Sequence, residues 1–422
     1  MVTPLKFSFG FANSMFQSSG NVCGASNWTE AAQKGTVPQV KLSLSHWDTF
    51  EHDLNLMQAI GIDTYRISME WSHIEPQQGH FDHRIIRHYQ RLIDACLERQ
   101  INPMITLYHF NEPLWFTRLG GFEHEENIGY FVDYCQRIFP IFSLKVSLWC
   151  TINEPAVQAF SSYLWGQFPP HKHNLQLTIT VLKHLLKAHV EVYLALKSLQ
   201  HHEATMVGLV HNVLRFKPLY SYDLFTHKLC DHLTTITNDL VIQFFTSGHF
   251  DYDVPLLAIH EHHQDLRAPH ANDFIGLNFY ANSVIGPNMT NGYGATCYAH
   301  QDMGDMFLPI DAIGFSNAID EVARLNKPIY ITETGIADHT DTLRQKLITQ
   351  YVAVIKRKRD HLMDIRACYF WTLRDNYEWN EGQEKRLFGF YDAKGNPRDS
   401  VDVLKKIIRD FNDIKNKPRE FR

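Results

Sequence analysis

The sequence predicts an α/β protein built as one (β/α)8 barrel, with residues 1–422 forming a single domain. Two observations predict this fold. Short apolar runs alternate with longer amphipathic stretches, and this alternation repeats eight times along the 422-residue chain. No Gly/Ser-rich linker or low-complexity segment divides the chain, and no Gly-x-Gly-x-x-Gly follows a predicted strand, which argues against a dinucleotide-binding fold. Length alone does not require several domains, because closed α/β barrels exceed the usual domain size.

The predicted strands are continuous apolar runs rather than alternating ones. Parallel strands that are covered on their outer face have this pattern. In chain order they are residues 7–12, 64–69, 104–108, 148–152, 206–210, 274–278, 329–332 and 366–371.

The predicted helices lie between these strands and carry apolar residues at three- and four-residue spacing. In the first, the apolar positions include Phe50, Leu54 and Met57, which share one helical face. In chain order the helices are residues 48–59, 84–99, 128–142, 175–199, 223–247, 312–325, 341–359 and 400–411.

Composition excludes several classes of protein. Lys and Arg total 40 against 46 Asp and Glu, a net charge of −6, so the basic excess of a nucleic-acid-binding protein is missing. No apolar stretch reaches the roughly 18 residues that a membrane span needs, and the first residues do not resemble a signal peptide. The seven cysteines form no Cys-x-x-Cys pair, which indicates reduced thiols and a cytoplasmic location.

Two glutamates stand where predicted strands end. Glu154 follows the fourth strand in Asn-Glu-Pro, and Glu333 follows the seventh in Thr-Glu-Thr-Gly. Because active sites of such barrels lie at the carboxyl ends of the strands, these carboxylates are expected across the barrel mouth from each other. Acetal cleavage needs such a pair, one to protonate the leaving oxygen and one to attack the anomeric carbon. A structural role, as an arginine partner or helix cap, fits either glutamate alone better than both together.

Other strand ends supply aromatic and hydrogen-bonding side chains. Aromatic faces with polar groups between them suit a sugar, whose ring has apolar C–H faces and a polar edge. Each side chain also has a structural alternative: Trp371 as barrel core, His109 as a structural histidine and Arg66 as the partner of any nearby acid. The side chains concerned are Gln17, Arg66, His109, Tyr280, Trp371, Glu378 and Trp379.

Several segments, in order along the chain, make the sequence resemble glycoside hydrolase family 1, the β-glucosidase and β-galactosidase family. The resemblance extends from about residue 7 to residue 400. The segments are TYRISMEWSHIEP at 64–76, TLYHF at 106–110, TINEP at 151–155, FIGLNFY at 274–280, YITETG at 330–335 and WTLRDNYEW at 371–379.

The resemblance implies a retaining β-glycosidase that acts on a terminal β-D-glucosyl, galactosyl or fucosyl residue without cofactor or metal. Glu154 would be the general acid/base and Glu333 the nucleophile, with Arg66 and Tyr280 on either side of Glu333. A separation of about 5–5.5 Å between the two carboxyl groups is expected for retention. The residues implied to hold the sugar or support the site are Gln17, His109, Asn153, Asn278, Trp371, Glu378 and Trp379.

The sequence also departs from the usual family pattern. Thr334 stands where Asn is usual after the nucleophile, Phe110 replaces a Trp, and Ser18-Ser19 replaces an apolar-Glu pair. None of these changes removes a catalytic atom. Phospho-β-glycosidases of the family typically lack an acid at the position of Glu378, so its presence favours an unphosphorylated sugar.

Other functions remain open at this point. They include a 6-phospho-β-glycosidase, a catalytically weak sugar-binding relative and a metal-dependent hydrolase that uses histidine clusters at 171–173, 201–202 and 260–263, which we expect in surface loops or helix ends. An aryl or lipid-linked aglycone would fit an apolar site lined by Trp115, Phe116 and Phe168. The sequence does not indicate the oligomeric state.

Overall fold

A computed structural model describes residues 6–19, 24–38, 45–200, 202–286, 302–306, 308–380 and 386–413. Eight parallel strands close into a barrel in which each pairs with its neighbours in sequence and the last pairs with the first. The predicted fold is therefore confirmed, with strand ends displaced by a residue or a few. The strands are β1 Ser8–Asn13, β2 Thr64–Ser68, β3 Asn102–Tyr108, β4 Leu148–Asn153, β5 Met206–Asn212, β6 Phe274–Asn278, β7 Ile329–Thr334 and β8 Ile365–Phe370.

Longer helices follow the strands on the outside of the barrel. They are α1 His46–Ile60, α2 His83–Glu98, α3 Ile128–Phe142, α4 Leu175–Ser198, α5 Leu224–Thr234, α6 Leu240–Ser247, α7 Ala312–Ala323, α8 Thr342–Asp360 and α9 Asp399–Asp413. Shorter helices are Met15–Ser18, Asn27–Gln33, Trp71–Ile74, Leu114–Arg118 and Pro155–Ala159. Further 3-10 or π turns are Gly121–Glu123, Glu125–Asn127, Phe160–Leu164, Pro255–Leu257 and Ala268–His270.

The prediction of one regular helix over residues 223–247 is wrong in detail. A π-helical turn, Thr235–Asp239, joins α5 to α6. The turn directs the buried Asn238 side chain inward. Asn238 Nδ2 donates to Glu321 Oε1 at 2.6 Å, and Asn238 Oδ1 lies 2.9 Å from His211 Nε2. A π turn inserts one extra residue per turn, and the apolar periodicity of the segment does not reveal it.

Two small sheets lie outside the barrel. Phe216–Pro218 pairs in parallel with Ser283–Ile285, shortly after the ends of β5 and β6. His249–Val254 and Ile259–Gln264 form an antiparallel hairpin. Residues 260–263 therefore lie in a strand and not in the predicted loop or helix end. Ile259, at the start of this strand, is buried, and Glu261 and His263 are partly buried, which is the alternation of a strand with one face against the protein.

The barrel interior is filled by large side chains at one end and becomes polar toward the carboxyl ends of the strands. The filling side chains include Met104, Phe274 and Tyr369, all buried. Gly10 in β1 makes room for them, because a Cβ atom there would lie 2.6 Å from the Tyr369 ring. This packing leaves the carboxyl end of the barrel as the place where polar side chains converge.

The cysteines that the structure describes are all buried and free, namely Cys96, Cys135, Cys150, Cys230 and Cys368. The other two, Cys23 and Cys297, lie outside the described residues. Within the described ranges, no helix combines the length and apolar character that crossing a membrane requires.

Candidate active site

Glu333 lies near the end of β7, inside the strand rather than after it as predicted, and is held by two side chains. The Arg66 guanidinium, from β2, donates to one carboxylate oxygen through Nη1 at 2.5 Å. The Tyr280 hydroxyl, just after β6, donates to the other oxygen at 2.8 Å. A buried carboxylate with a guanidinium on one oxygen and a hydroxyl donor on the other is fixed in orientation.

Glu154 directly follows β4 and is the N-cap residue of the short helix Pro155–Ala159. Its backbone has φ 48°, a left-handed conformation that is uncommon for residues other than glycine. Its side chain is 6% exposed and accepts a hydrogen bond from Asn278 Nδ2 at 2.6 Å. Strained backbone of this kind is retained where the surrounding structure holds a side chain in a required position.

A chain of hydrogen bonds connects the two glutamates. Arg66 Nη2 donates to Asn153 Oδ1 at 2.7 Å, and the same oxygen accepts from Asn278 Nδ2 at 3.2 Å. Since Arg66 binds Glu333 and Asn278 binds Glu154, the two carboxyl groups share one rigid polar framework.

The sequence reasoning missed two members of this framework. Thr106 accepts from Arg66 Nε at 2.9 Å, and Thr332 donates to Asn278 Oδ1 at 2.7 Å. Both threonines are fully buried, Thr106 in β3 and Thr332 in β7. A polar residue inside an apolar strand near its carboxyl end is the signal that would have found them.

The environment of Glu154 favours its protonated form. Burial raises the pKa of its carboxyl group to about 8, and the negative charge of Glu333 acts in the same direction. For Arg66, burial lowers the pKa but the Glu333 carboxylate more than compensates, so that its pKa is raised and the guanidinium stays charged. The two carboxyl groups thus lie in different environments, since only Glu333 is paired directly with the Arg66 guanidinium.

This arrangement predicts that Glu154→Gln stabilises the protein in mildly alkaline solution. The pKa of Glu154 is raised in the folded state, so its contribution to stability is complete below pH 4.5 and is lost as the pH rises toward about 8. Glutamine never carries the buried charge. We expect its melting temperature to exceed that of the wild type by about 2 °C or more at pH 8.5, with a smaller difference at pH 5. A difference that grows as the pH falls, measured by calorimetry, would contradict this.

Several proposed site residues carry a buried polar atom that has no hydrogen-bond partner among the described residues. These atoms are Oε1 of Gln17, Nδ1 of His109 and Nδ2 of Asn153. Burial lowers the pKa of His109 well below its usual value, with the Arg66 charge acting in the same direction, so its imidazole is neutral. Buried polar atoms are costly unless paired, and sugar hydroxyls are suitable partners for this mixture of donors and acceptors.

The segment after β8 brings aromatic rings to the same place. Trp371 lies 6.3 Å from the His109 ring, and Trp379 lies 5.9 Å from it, as distances between ring centroids. Trp379 also stacks on Phe16 at 5.4 Å with an interplanar angle of 2°. Glu378 precedes Trp379 and is close enough to Glu154 for its charge to raise the pKa of Glu154 further.

The apolar aglycone site suggested by Trp115, Phe116 and Phe168 does not form from these three residues. Phe116 is fully buried against Trp71, and the Trp115 indole donates to Glu75 O at 2.9 Å. Phe168 lies near the site but is buried against Trp28, Trp379 and Phe110. These contacts show that the rings are packing residues. The sequence suggested an aglycone site because the spacing of aromatic residues cannot distinguish a core ring from a ligand-facing one.

The departures from the family pattern leave the carboxylate framework intact. Phe110 adopts φ 63°, and its ring packs against Trp379 at 5.4 Å. Its carbonyl oxygen accepts hydrogen bonds from Trp28 Nε1 and Asn27 Nδ2 at 2.8 and 3.1 Å. Thr334 is buried in β7.

Metal binding by the histidine clusters finds no support in the part of the chain that is described. No group of three or more His, Cys, Asp or Glu residues there is arranged to hold a metal ion. In the hairpin, His260 and His262 pair with the opposite Asp253 and Asp251 at 2.8 and 2.9 Å. His201 lies outside the described residues.

The parallel barrel, with two unlike carboxyl groups and sugar-compatible side chains at its carboxyl end, defines the class of a barrel glycosidase. The chain matches the glycosyl hydrolase family 1 model over residues 2–417 and belongs to that family. It is a β-glycosidase, a hydrolase of O-glycosidic bonds.

The similarity to individual relatives is low but spans whole chains. The chain is 26% identical to a 6-phospho-beta-galactosidase of Leptotrichia buccalis, covering 96% of this chain and 98% of the relative. It is 25% identical to a 1,4-beta-D-glucan glucohydrolase of Thermotoga neapolitana, covering 96% of each. Among solved structures, a beta-glycosidase from Pyrococcus horikoshii is 28% identical, with a TM-score of 0.82 and 99% of each chain covered.

Proposed function

We propose that this protein is a retaining β-glycosidase that removes a non-reducing terminal β-D-glucosyl residue through a covalent glycosyl-enzyme. Galactosyl and fucosyl residues belong to the same proposed substrate class. The observation that carries the proposal is the contrast between the two carboxyl groups, because Glu333 lies between Arg66 and Tyr280 while burial favours protonated Glu154.

In the first step, a Glu333 carboxylate oxygen attacks the anomeric carbon and forms an ester bond. The bond from that carbon to the aglycone oxygen breaks, and the Glu154 proton moves to the departing oxygen, which leaves as an alcohol. Arg66 and Tyr280 orient the attacking carboxylate.

In the second step, Glu154 changes from acid to base. Esterification removes the negative charge of Glu333, which is one cause of the raised pKa of Glu154, so this pKa falls and the group ionises. Glu154 then takes a proton from a water molecule, whose oxygen attacks the anomeric carbon and breaks the ester bond. Two displacements at one carbon retain its configuration, and a carboxyl separation of about 5–5.5 Å suits this course.

Gln17, His109, Asn153, Glu378 and Trp379 are proposed to bind the hydroxyls of the sugar, with Trp371 beside its ring. The unpaired buried atoms of Gln17, His109 and Asn153 support this assignment. Asn278 is proposed as the residue that orients Glu154, on the basis of its 2.6 Å hydrogen bond.

The proposal is tested by trapping the covalent intermediate. We expect incubation with an activated 2-deoxy-2-fluoro-β-glucoside to add one sugar mass to the intact protein, because the fluorine slows both steps and the good leaving group restores only the first. Peptide mapping should place the sugar on the peptide that contains Glu333.

Two controls sharpen this experiment. Glu333→Gln should give no adduct. Glu261→Gln removes a carboxylate of the hairpin that pairs with Lys183 of α4, and this variant should be labelled like the wild type. No adduct on folded wild-type protein with gluco-, galacto- or fuco-configured probes, or an adduct on another residue, would contradict the proposed function.

A 6-phospho-β-glycosidase is the second candidate, because 6-phospho-beta-galactosidases of Leptotrichia buccalis and Staphylococcus aureus are among the relatives, at 26% and 25% identity. The carboxylate of Glu378 argues against it, since it would repel a sugar phosphate. The ratio of kcat/KM for a β-glucoside to that for its 6-phosphate decides between the two, and a ratio below one would favour the second candidate.

We also propose that the whole chain works as one catalytic domain and that it acts in a reducing, cytoplasmic compartment. The free, buried state of the described cysteines supports the second statement. The proposed partner is a small-molecule β-glycoside.

A further inference from the structure

The segment 371–379, which we call the β8 loop, carries three of the proposed sugar-binding residues, Trp371, Glu378 and Trp379. Two hydrogen bonds attach it to the chain around β1. Thr372 Oγ1 donates to Ala12 O at 2.8 Å, and Gln17 Nε2 donates to Tyr377 O at 2.6 Å. The position of the loop therefore affects both the residues it carries and Gln17.

Two adjacent charged residues in the middle of the β8 loop form ion pairs with different partners. Asp375 pairs with Arg398 through two hydrogen bonds of 2.9 and 2.7 Å. Arg374 pairs through Nη2 with Asp53 of α1, and the two side chains are 14% and 4% exposed. The first pair connects the loop to the residue before α9 and the second connects it to α1, so the middle of the loop is attached to two other parts of the chain.

The Asp53 carboxylate is itself held in place by a row of hydrogen bonds. Its other oxygen lies 2.7 Å from His46 Nδ1, and His46 Nε2 lies 3.0 Å from the Tyr65 hydroxyl. That hydroxyl accepts from Asn13 Nδ2 at 2.9 Å. Asn13 ends β1, and Tyr65 precedes Arg66 in β2, so Asp53 is fixed relative to the strands that carry the catalytic framework.

A cavity of about 50 Å³ lies beside this row of side chains. Its lining includes Gln17, Asp53, Tyr65, Arg374 and Asn376. The apolar residues Trp371, Leu373 and Trp379 pack the loop into hydrophobic clusters. Arg374 and Asp53 line the cavity, so their ion pair adds a polar attachment on this side of the loop. Without the Arg374 guanidinium, the loop has free volume into which it can move.

We infer that Arg374 and Asp53 are positioning residues for the sugar-binding subsite, because their ion pair sets where the β8 loop places Glu378 and Trp379. This inference rests on the proposed function. Neither residue touches the reacting atoms; they act through the backbone of the loop. Displacing a binding group by about 1 Å can cost on the order of 10²-fold in rate, so a small shift of the loop has a measurable effect.

The test is Arg374→Met, which keeps an unbranched apolar stem and removes the guanidinium. Kinetics are measured on aryl β-glucoside, β-galactoside and β-xyloside, which differ at the 4-hydroxyl or lack the 6-hydroxymethyl group. We expect kcat/KM for the glucoside to fall about 10–100-fold, mainly through KM, and the discrimination between glucoside and xyloside to shrink about tenfold. A loss of folded enzyme would lower the apparent kcat/KM for all three glycosides by the same factor and leave the ratios between these kcat/KM values unchanged.

Lys183→Met is the matched control, since it breaks the partly buried pair with Glu261 outside the barrel and should leave the ratios at wild-type values. Arg374→Lys keeps the charge but not the guanidinium geometry. Its ratio of kcat/KM for the glucoside to that for the xyloside should lie between those of the wild type and Arg374→Met. If Arg374→Met does not fold, this second variant carries the test. Wild-type ratios in folded Arg374→Met, or in Arg374→Lys where only that variant folds, would overturn the inference. Wild-type enzyme that hydrolyses none of the glycosides would instead overturn the proposed function, and the inference with it.

Discussion

Replacing Glu333 with glutamine should reduce kcat by about 10⁵–10⁶-fold, the size of effect seen when an enzyme loses its nucleophile. The amide has nearly the same shape as the carboxylate but cannot form the ester bond. The substitution also leaves the buried Arg66 charge without its carboxylate partner, since Glu333 accepts from Arg66 at 2.5 Å. Breaking a buried pair costs about 3–5 kcal/mol, so we also expect a lower melting temperature.

Three measurements separate loss of chemistry from loss of fold. Circular dichroism and thermal melting establish that Glu333→Gln is folded at the assay temperature, and Glu261→Gln should keep wild-type kcat. In Glu333→Gly, added azide should restore turnover of an activated β-glucoside and form the α-glycosyl azide, because a single displacement inverts the anomeric carbon. Near-normal rates for Glu333→Gln, or a β-configured azide product from Glu333→Gly, would show that Glu333 is not the nucleophile.

Replacing Glu154 with glutamine should have an effect that depends on the leaving group. For an alkyl β-glucoside we expect kcat/KM to fall about 10²–10⁴-fold, since the departing alkoxide needs the proton. For 2,4-dinitrophenyl β-glucoside, whose leaving group departs without a proton, kcat/KM should stay within about tenfold of the wild type. Its kcat should fall instead, with a burst of product, because the second step has lost its base.

The pH dependence gives an independent check on Glu154. The proposed first step requires the acid form of Glu154, which prevails below its pKa, and burial and the Glu333 charge raise this pKa to about 8. Wild-type kcat/KM on the alkyl glucoside should therefore fall as the pH rises through about 8, and Glu154→Gln should lack this decline. An unchanged alkaline decline in the variant would assign it to another group.

Much of the fold was predictable from the sequence because the signals are local. Apolar runs and helical spacing are properties of consecutive residues, and all eight strands lie where these patterns place them. The π turn Thr235–Asp239 was not predictable, because it depends on the hydrogen bonds that Asn238 forms with Glu321 and His211 in the tertiary structure. The hairpin strand Ile259–Gln264 was missed because alternating histidines resemble a polar loop.

The candidate site was likewise predictable from the sequence only in part. Strand ends and the family resemblance indicated Glu154, Glu333 and the surrounding side chains, but sequence alone did not reveal the framework that joins them. Asn153, which was expected to bind sugar, also bridges Arg66 and Asn278. Phe168 was considered for an aglycone site and instead packs on Trp379.

The sequence by itself determined the order of strands and helices and indicated the two candidate carboxylates, because these depend on residue types at positions along the chain. Only the tertiary structure showed that Arg374 pairs with Asp53 and which polar atoms stay unpaired. Arg66 and Glu333 are 267 positions apart, and Asp53 and Arg374 are more distant still. Such pairs form because barrel closure brings distant strand ends together, and burial then determines the protonation state of Glu154.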